Sequence, residues 1–111
     1  MQEITFLVQG SAPEPYEVSF VKRSEANLSA YCTCPAGENG KHCKHRSEIL
    51  TGSVDGIVSN NLEEVQTVCA WMVGTDVEAA LMETLQLEKE GDRIKKALAA
   101  AKKKLATAMR D

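Results

Sequence analysis

Apolar and polar residues alternate along the first third of the chain, and the period lengthens beyond it. Residues 4–8 (Ile-Thr-Phe-Leu-Val) are dense in β-formers and predict a strand. Gly10 to Pro15 holds a glycine and two prolines, which cannot continue a ladder, so a turn follows. Tyr16 to Lys22 alternates through Phe20, and Leu28 to Cys32 alternates again, as half-buried strands do. Together these segments predict a small antiparallel three-stranded sheet whose last strand delivers Cys32. Thr33–His42 reads as a loop. A short helix is expected from Cys43 to about Leu50, with Ile49 and Leu50 facing the sheet and Gly52 ending it.

From Asn61 onward the apolar spacing becomes helical. Asn61 is the expected N-cap, with Glu64 completing a capping box, and Leu62, Val65, Val68, Cys69 and Met72 form one stripe before Gly74. Thr75 and Glu78 form a second box, which opens a long helix. Gly91 costs that helix about 1 kcal/mol relative to Ala, so a break or bend is expected there. Beyond it, Ile94, Leu98, Ala101, Leu105 and Ala108 recur in steps of four and three. This weak heptad stripe either folds back onto the chain's own core or pairs two copies as a homodimer. The fold class is therefore α+β: a three-stranded sheet with a turn-rich knuckle and a short helix, then a helical half ending in a long helix. The division expected is a β-rich module over residues 1–52 and a helical extension over 53–111.

Composition sharpens this only in places. With 111 residues and 5% aromatics, the core is modest, so a metal staple would matter to its stability. The net charge of -3 argues against a non-specific DNA binder, yet the charge is uneven. Residues 55–90 are dominated by acids, and 91–111 by Arg93, Lys95, Lys96, Lys102, Lys103, Lys104 and Arg110. There is no signal-like start and no apolar run of membrane-spanning length, so an intracellular protein without a membrane partner is expected. Its compartment would be cytoplasmic in a bacterium and nuclear in a eukaryote. There the cysteines stay reduced, and clustered cysteines point to metal rather than disulfides.

The cluster runs from Cys32-Thr33-Cys34-Pro35 to Cys43-Lys44-His45, a C-x-C pair and a C-x-H pair eight residues apart. Zinc takes four tetrahedral ligands from thiolate and imidazole, and Pro35, Gly37 and Gly40 let the intervening loop turn. Four protein ligands close the shell, so one structural Zn²⁺ is expected rather than a catalytic one. His42 competes with His45, but it adjoins Cys43 and would have to fold back to reach the same ion. Cys69 lies on the apolar helical stripe and reads as core filler.

The order of ligands resembles the SWIM-type zinc finger, and the words Cys-Thr-Cys-Pro and Cys-Lys-His are similar to those of that family. The likeness covers about residues 16–52 and implies a ββα arrangement with Cys32, Cys34, Cys43 and His45 as ligands. It departs from the family at Arg46 and Ser47, where an apolar residue usually follows the histidine. What the module binds stays open between two classes. One is a protein partner. The other is nucleic acid, reached through Lys22, Arg23, Lys41, Lys44, Arg46 and the basic C-terminal helix. An enzyme is not expected, because the metal shell has no open position and both histidines lie in the knuckle.

Overall fold

The alternating segments pair as their patterns require. In the computed structural model, which describes residues 1–110, β1 (Gln2–Val8), β2 (Tyr16–Ser24) and β3 (Asn27–Cys32) form an antiparallel sheet in the order β1-β2-β3. Register places Phe6 opposite Val18, and Val18 opposite Cys32. Period-two alternation then puts Phe6, Val8, Val18, Phe20, Leu28 and Cys32 on one buried face. Phe6 and Phe20 meet edge to face, with ring centroids 6.1 Å apart. The opposite face carries a Thr5–Ser19 hydroxyl contact at 2.9 Å and the exposed Tyr31.

β1 would be a bare sheet edge, and the chain covers it. Val58 N–H donates to the Leu7 carbonyl, Gln9 N–H donates to Gly56, and Ile57 bridges Val8. Asn61 belongs to this cover. Its amide nitrogen donates to the Thr5 carbonyl at 3.0 Å, and its amide oxygen accepts from Ser59. That corrects the expected N-cap at Asn61: with the side chain occupied on β1, α3 begins later and spans Glu64–Met72. Val65, Val68 and Met72 are buried as the stripe predicts, whereas Leu62 stays exposed.

α2 (Lys44–Leu50) follows the knuckle and buries Ile49 and Leu50. It packs on α3, where the Cys69 thiol rests 3.3 Å from the Ile49 carbonyl. Gly52, at φ 95°, accepts the left-handed backbone that ends α2. Thr75 caps the last helix: its hydroxyl donates to the Met72 carbonyl at 2.7 Å and accepts from Glu78 N–H at 3.4 Å. The returning arm of the box shifts by one residue, since the Glu78 carboxylate accepts from Gly74 N–H instead of Thr75.

α4 then runs unbroken over Asp76–Arg110, straight through Gly91. A glycine keeps its N–H and carbonyl, so it weakens the ladder without removing a bond, and only the expected break is lost. The chain forms two compact units, Met1–Ala79 and Ala80–Asp111. No helix among the described residues is long and apolar enough to cross a membrane.

Candidate metal centre

Four local structures converge on one point. Cys32 is the last residue of β3, and the chain turns immediately after it. Cys34 caps a single helical turn, α1 (Pro35–Glu38), that the loop reading did not anticipate. Its signal was present: a proline at the first helical position needs no amide partner and has its φ already set. The cap is unusual in using sulfur, as Gly37 N–H donates to Cys34 Sγ at 3.3 Å. Cys43 occupies the N-cap of α2, and His45 lies in that helix's first turn.

The resulting donor atoms of Cys32, Cys34, Cys43 and His45 all lie within 4.8 Å of one another. Cys34 Sγ is 3.3 Å from Cys43 Sγ. His45 Nδ1 is 3.5 Å from Cys43 Sγ and 3.8 Å from Cys32 Sγ. A tetrahedral ion bound at about 2.3 Å by sulfur and about 2.0 Å by imidazole would space two sulfurs about 3.8 Å apart, and sulfur from nitrogen about 3.5 Å. The donors therefore already stand near the separations such an ion requires. All four cysteines are free thiols, and the three of the cluster are buried.

Electrostatics favour a cation here. Burial pushes the Cys32 thiol up to about 12, the Cys34 and Cys43 side chains add to the rise, and the Cys34 N–H opposes it. Burial also works to raise Cys43, but the Arg46 backbone N–H and the Cys34, Cys32 and His45 side chains bring it down to about 6. A thiolate is thus favoured at Cys43, while a charge on Cys32 is strongly resisted. A divalent cation removes that conflict by compensating the sulfurs directly. The donor set, its spacing and its charge all fit a metal ion.

His42 is not part of the cluster. Its Nε2 is 3.0 Å from the Ser47 hydroxyl, on the exposed side of α2. His42→Ala is therefore expected to leave metal content at wild-type stoichiometry, whereas His45→Ala lowers it. Elemental analysis of the two purified variants checks this, and equal loss in both would reverse the assignment. Cys69 also lies outside the cluster, half-buried between α2 and α3, with burial raising its pKa and a hydrogen bond from the Gly52 backbone opposing.

Three residues support the site in ways the reading of the motif did not give. Gly37 is needed for close approach rather than for φ: a methyl group there would lie 2.4 Å from the Cys32 carbonyl oxygen. Arg46, at the position where the SWIM pattern places an apolar residue, donates to the Ala30 carbonyl at 3.1 Å and to the Lys41 carbonyl at 2.6 Å. Its guanidinium ties α2 to β3 and to the knuckle loop. Tyr16 flanks the histidine, with ring centroids 5.2 Å apart, and Gly10 leaves room for that pair. Beforehand Gly37 read only as a turn former and Arg46 only as a departure from the pattern and a rim charge, and nothing in the motif disclosed their contacts.

The cationic rim differs from the sequence expectation. Lys22 points to the core side of the sheet end and donates to the Trp71 carbonyl at 2.7 Å, closing the C-terminus of α3. Arg23 is held by Ser29 and Tyr31, and its hydrogen bond, followed by that of Ser29 and by its own charge, draws the Tyr31 phenol below its usual pKa. No family model, curated protein or solved structure matches the chain. The SWIM-type likeness thus rests on the residues of the knuckle.

Proposed function

We propose that the chain is a zinc-stapled interaction module of SWIM type whose metal is structural and whose business is binding a protein partner. The observation that carries the reading is the closed Cys₃His donor set. Three sulfurs and one imidazole suit Zn²⁺ and are poor ligands for the hard cations calcium and magnesium. A four-donor protein shell leaves no coordination position for a substrate, which supports a module without catalytic activity. When bound, zinc supplies folding free energy. Cys32, Cys34, Cys43 and His45 hold it, the Cys34 and Gly37 amides donate to Cys32 and Cys34 sulfur, and Arg46 fixes the loop.

Protein rather than nucleic acid is favoured by where the cations go. Lys22, Arg23 and Arg46 direct their donors into the chain itself, leaving Lys41 and Lys44 beside the knuckle. The net charge is -3. The open face of the sheet offers Tyr31 and Leu7, both exposed, as apolar contacts for a protein surface. The nucleic-acid reading retains Lys41, Lys44 and the basic half of α4. Lys102, Lys103 and Lys104, however, wrap most of the way round the helix and make no single-faced patch.

A salt titration of DNA binding by the zinc-loaded protein separates the two. The expected result is no measurable binding at low salt. Binding whose logarithm falls with log salt at a slope of several units would reflect that many phosphate contacts and replace the protein-binding reading.

A further inference from the structure

From Gln86 to Arg110 every residue of α4 is exposed, including Leu87, Ile94, Leu98, Leu105 and Met109. The large aliphatics do not scatter. With Gly91 tolerated, one heptad frame runs through Thr84, Leu87, Gly91, Ile94, Leu98, Ala101, Leu105 and Ala108, adding three positions to the stripe that began at Ile94 when a break at Gly91 was expected. Ala97, Ala100, Ala101 and Ala108 line a shallow apolar strip beside Leu105, low enough for another helix to approach closely. An apolar seam alone does not name its occupant. The charges beside it do.

In this frame Glu83, Glu90 and Lys104 flank one side of the seam, and Glu88, Lys95 and Lys102 flank the other. We propose that the seam is covered by α4 of a second copy of this chain, running antiparallel, with Leu98 opposite the partner's Ile94 and Leu105 opposite the partner's Leu87. In that register Glu88 faces the partner's Lys102 and Glu90 faces the partner's Lys104. Two-fold symmetry doubles each pair. The acidic start of one helix lies along the basic end of the other.

The alternatives are worse for stated reasons. A parallel pair sets Glu83 against the partner's Glu88 and retains only the Glu90–Lys95 attraction. Sliding the antiparallel pair one heptad toward the C-termini sets Lys95 against the partner's Lys102. Sliding it the other way uses the surface around Leu81, which is already buried in the single chain, and around the half-buried Thr84 and Leu85. The chosen register overlaps residues 82–110, about 43 Å of helix. Layers then alternate between large (Leu98 with Ile94, Leu105 with Leu87) and small (Ala101 with Gly91, Ala108 with Thr84). Among the described residues one unfavourable contact remains, Lys95 facing its own copy across the axis.

Sedimentation equilibrium of the full zinc-loaded chain tests this, with circular dichroism confirming that each variant keeps its helix. Wild type is expected at about twice the chain mass of 12.1 kDa. E88K/E90K should weaken the dimer about tenfold or more, and adding K102E/K104E to it should restore the dimer. A 12.1 kDa species at every concentration would overturn the proposal and leave the face to a different protein. A dimer tightened by E88K alone, or one not restored by the fourfold swap, would overturn the antiparallel register.

Discussion

Removing zinc from the protein with a strong chelator will unfold the knuckle and the sheet that ends in it, and Cys34→Ser will do the same. Three buried thiols packed around one imidazole have no other partner of comparable strength. A structural zinc site of this kind supplies free energy on the order of 10 kcal/mol, as much as a whole small domain's net stability. Hydrogen exchange is the measurement: amide protection across residues 16–52 should collapse, while the helix beyond Ala80 changes far less. Protection that survives chelation in residues 16–52 would refute the structural role. Equal loss in both parts would mean that they share one core.

The same site dictates a pH dependence. The Cys32 thiol, raised to about 12, keeps its proton at every ordinary pH until metal displaces it. Apparent zinc affinity should therefore rise about tenfold per pH unit for that proton alone. Below about 6 the Cys43 proton must also leave, which adds a further factor of about ten per unit to the slope. Zinc is held as pH rises and lost as it falls. A competition titration between pH 5 and 8 with a chromophoric chelator reads the slope; a flat profile would contradict the protonated state of Cys32.

Gly37→Ala is the second large effect expected. The added methyl would lie 2.4 Å from the Cys32 carbonyl oxygen and 2.9 Å from its Cβ, both close to rigid backbone. Relief requires α1 to move off β3, which carries Cys34 away from Cys32 and breaks the Gly37 N–H bond to the Cys34 sulfur. Loss of support to a ligand typically lowers metal affinity 10- to 100-fold, and overpacking adds about 1–3 kcal/mol of destabilisation. Gly40→Ala is the control: it has open space around it and a φ of 69°, so it should cost only about 1 kcal/mol. Equal zinc affinity in the two variants would show that close packing at Gly37 is unimportant.

The contrast between these two glycines marks what was legible beforehand. Both read as turn formers in the sequence, but only Gly40 serves through its backbone angle. Strand alternation and helical stripes are local properties, so the sheet, α2 and the buried face of α3 could be read from period alone. The candidate donor set was legible for a similar reason, because C-x-C and C-x-H place paired donors within a few residues of one another. Asn61 shows where local reading ends. Its sequence neighbourhood is that of an N-cap, yet Thr5, 56 residues away, takes its amide.

By itself, then, the sequence determined the three strands, α2, the long last helix and the candidate donor set with His45 in place of His42, since each depends on spacing along a short stretch of chain. Tertiary structure decided the rest. Only the three-dimensional approach of β3 to α1 makes Gly37 indispensable, and only the nearness of the Ala30 and Lys41 carbonyls turns Arg46 from a rim charge into a tie. Only the unbroken passage of α4 through Gly91 joins two short stripes into one seam. These depend on which distant groups compete for a side chain or a backbone amide, a contest settled by packing and not encoded in any local period.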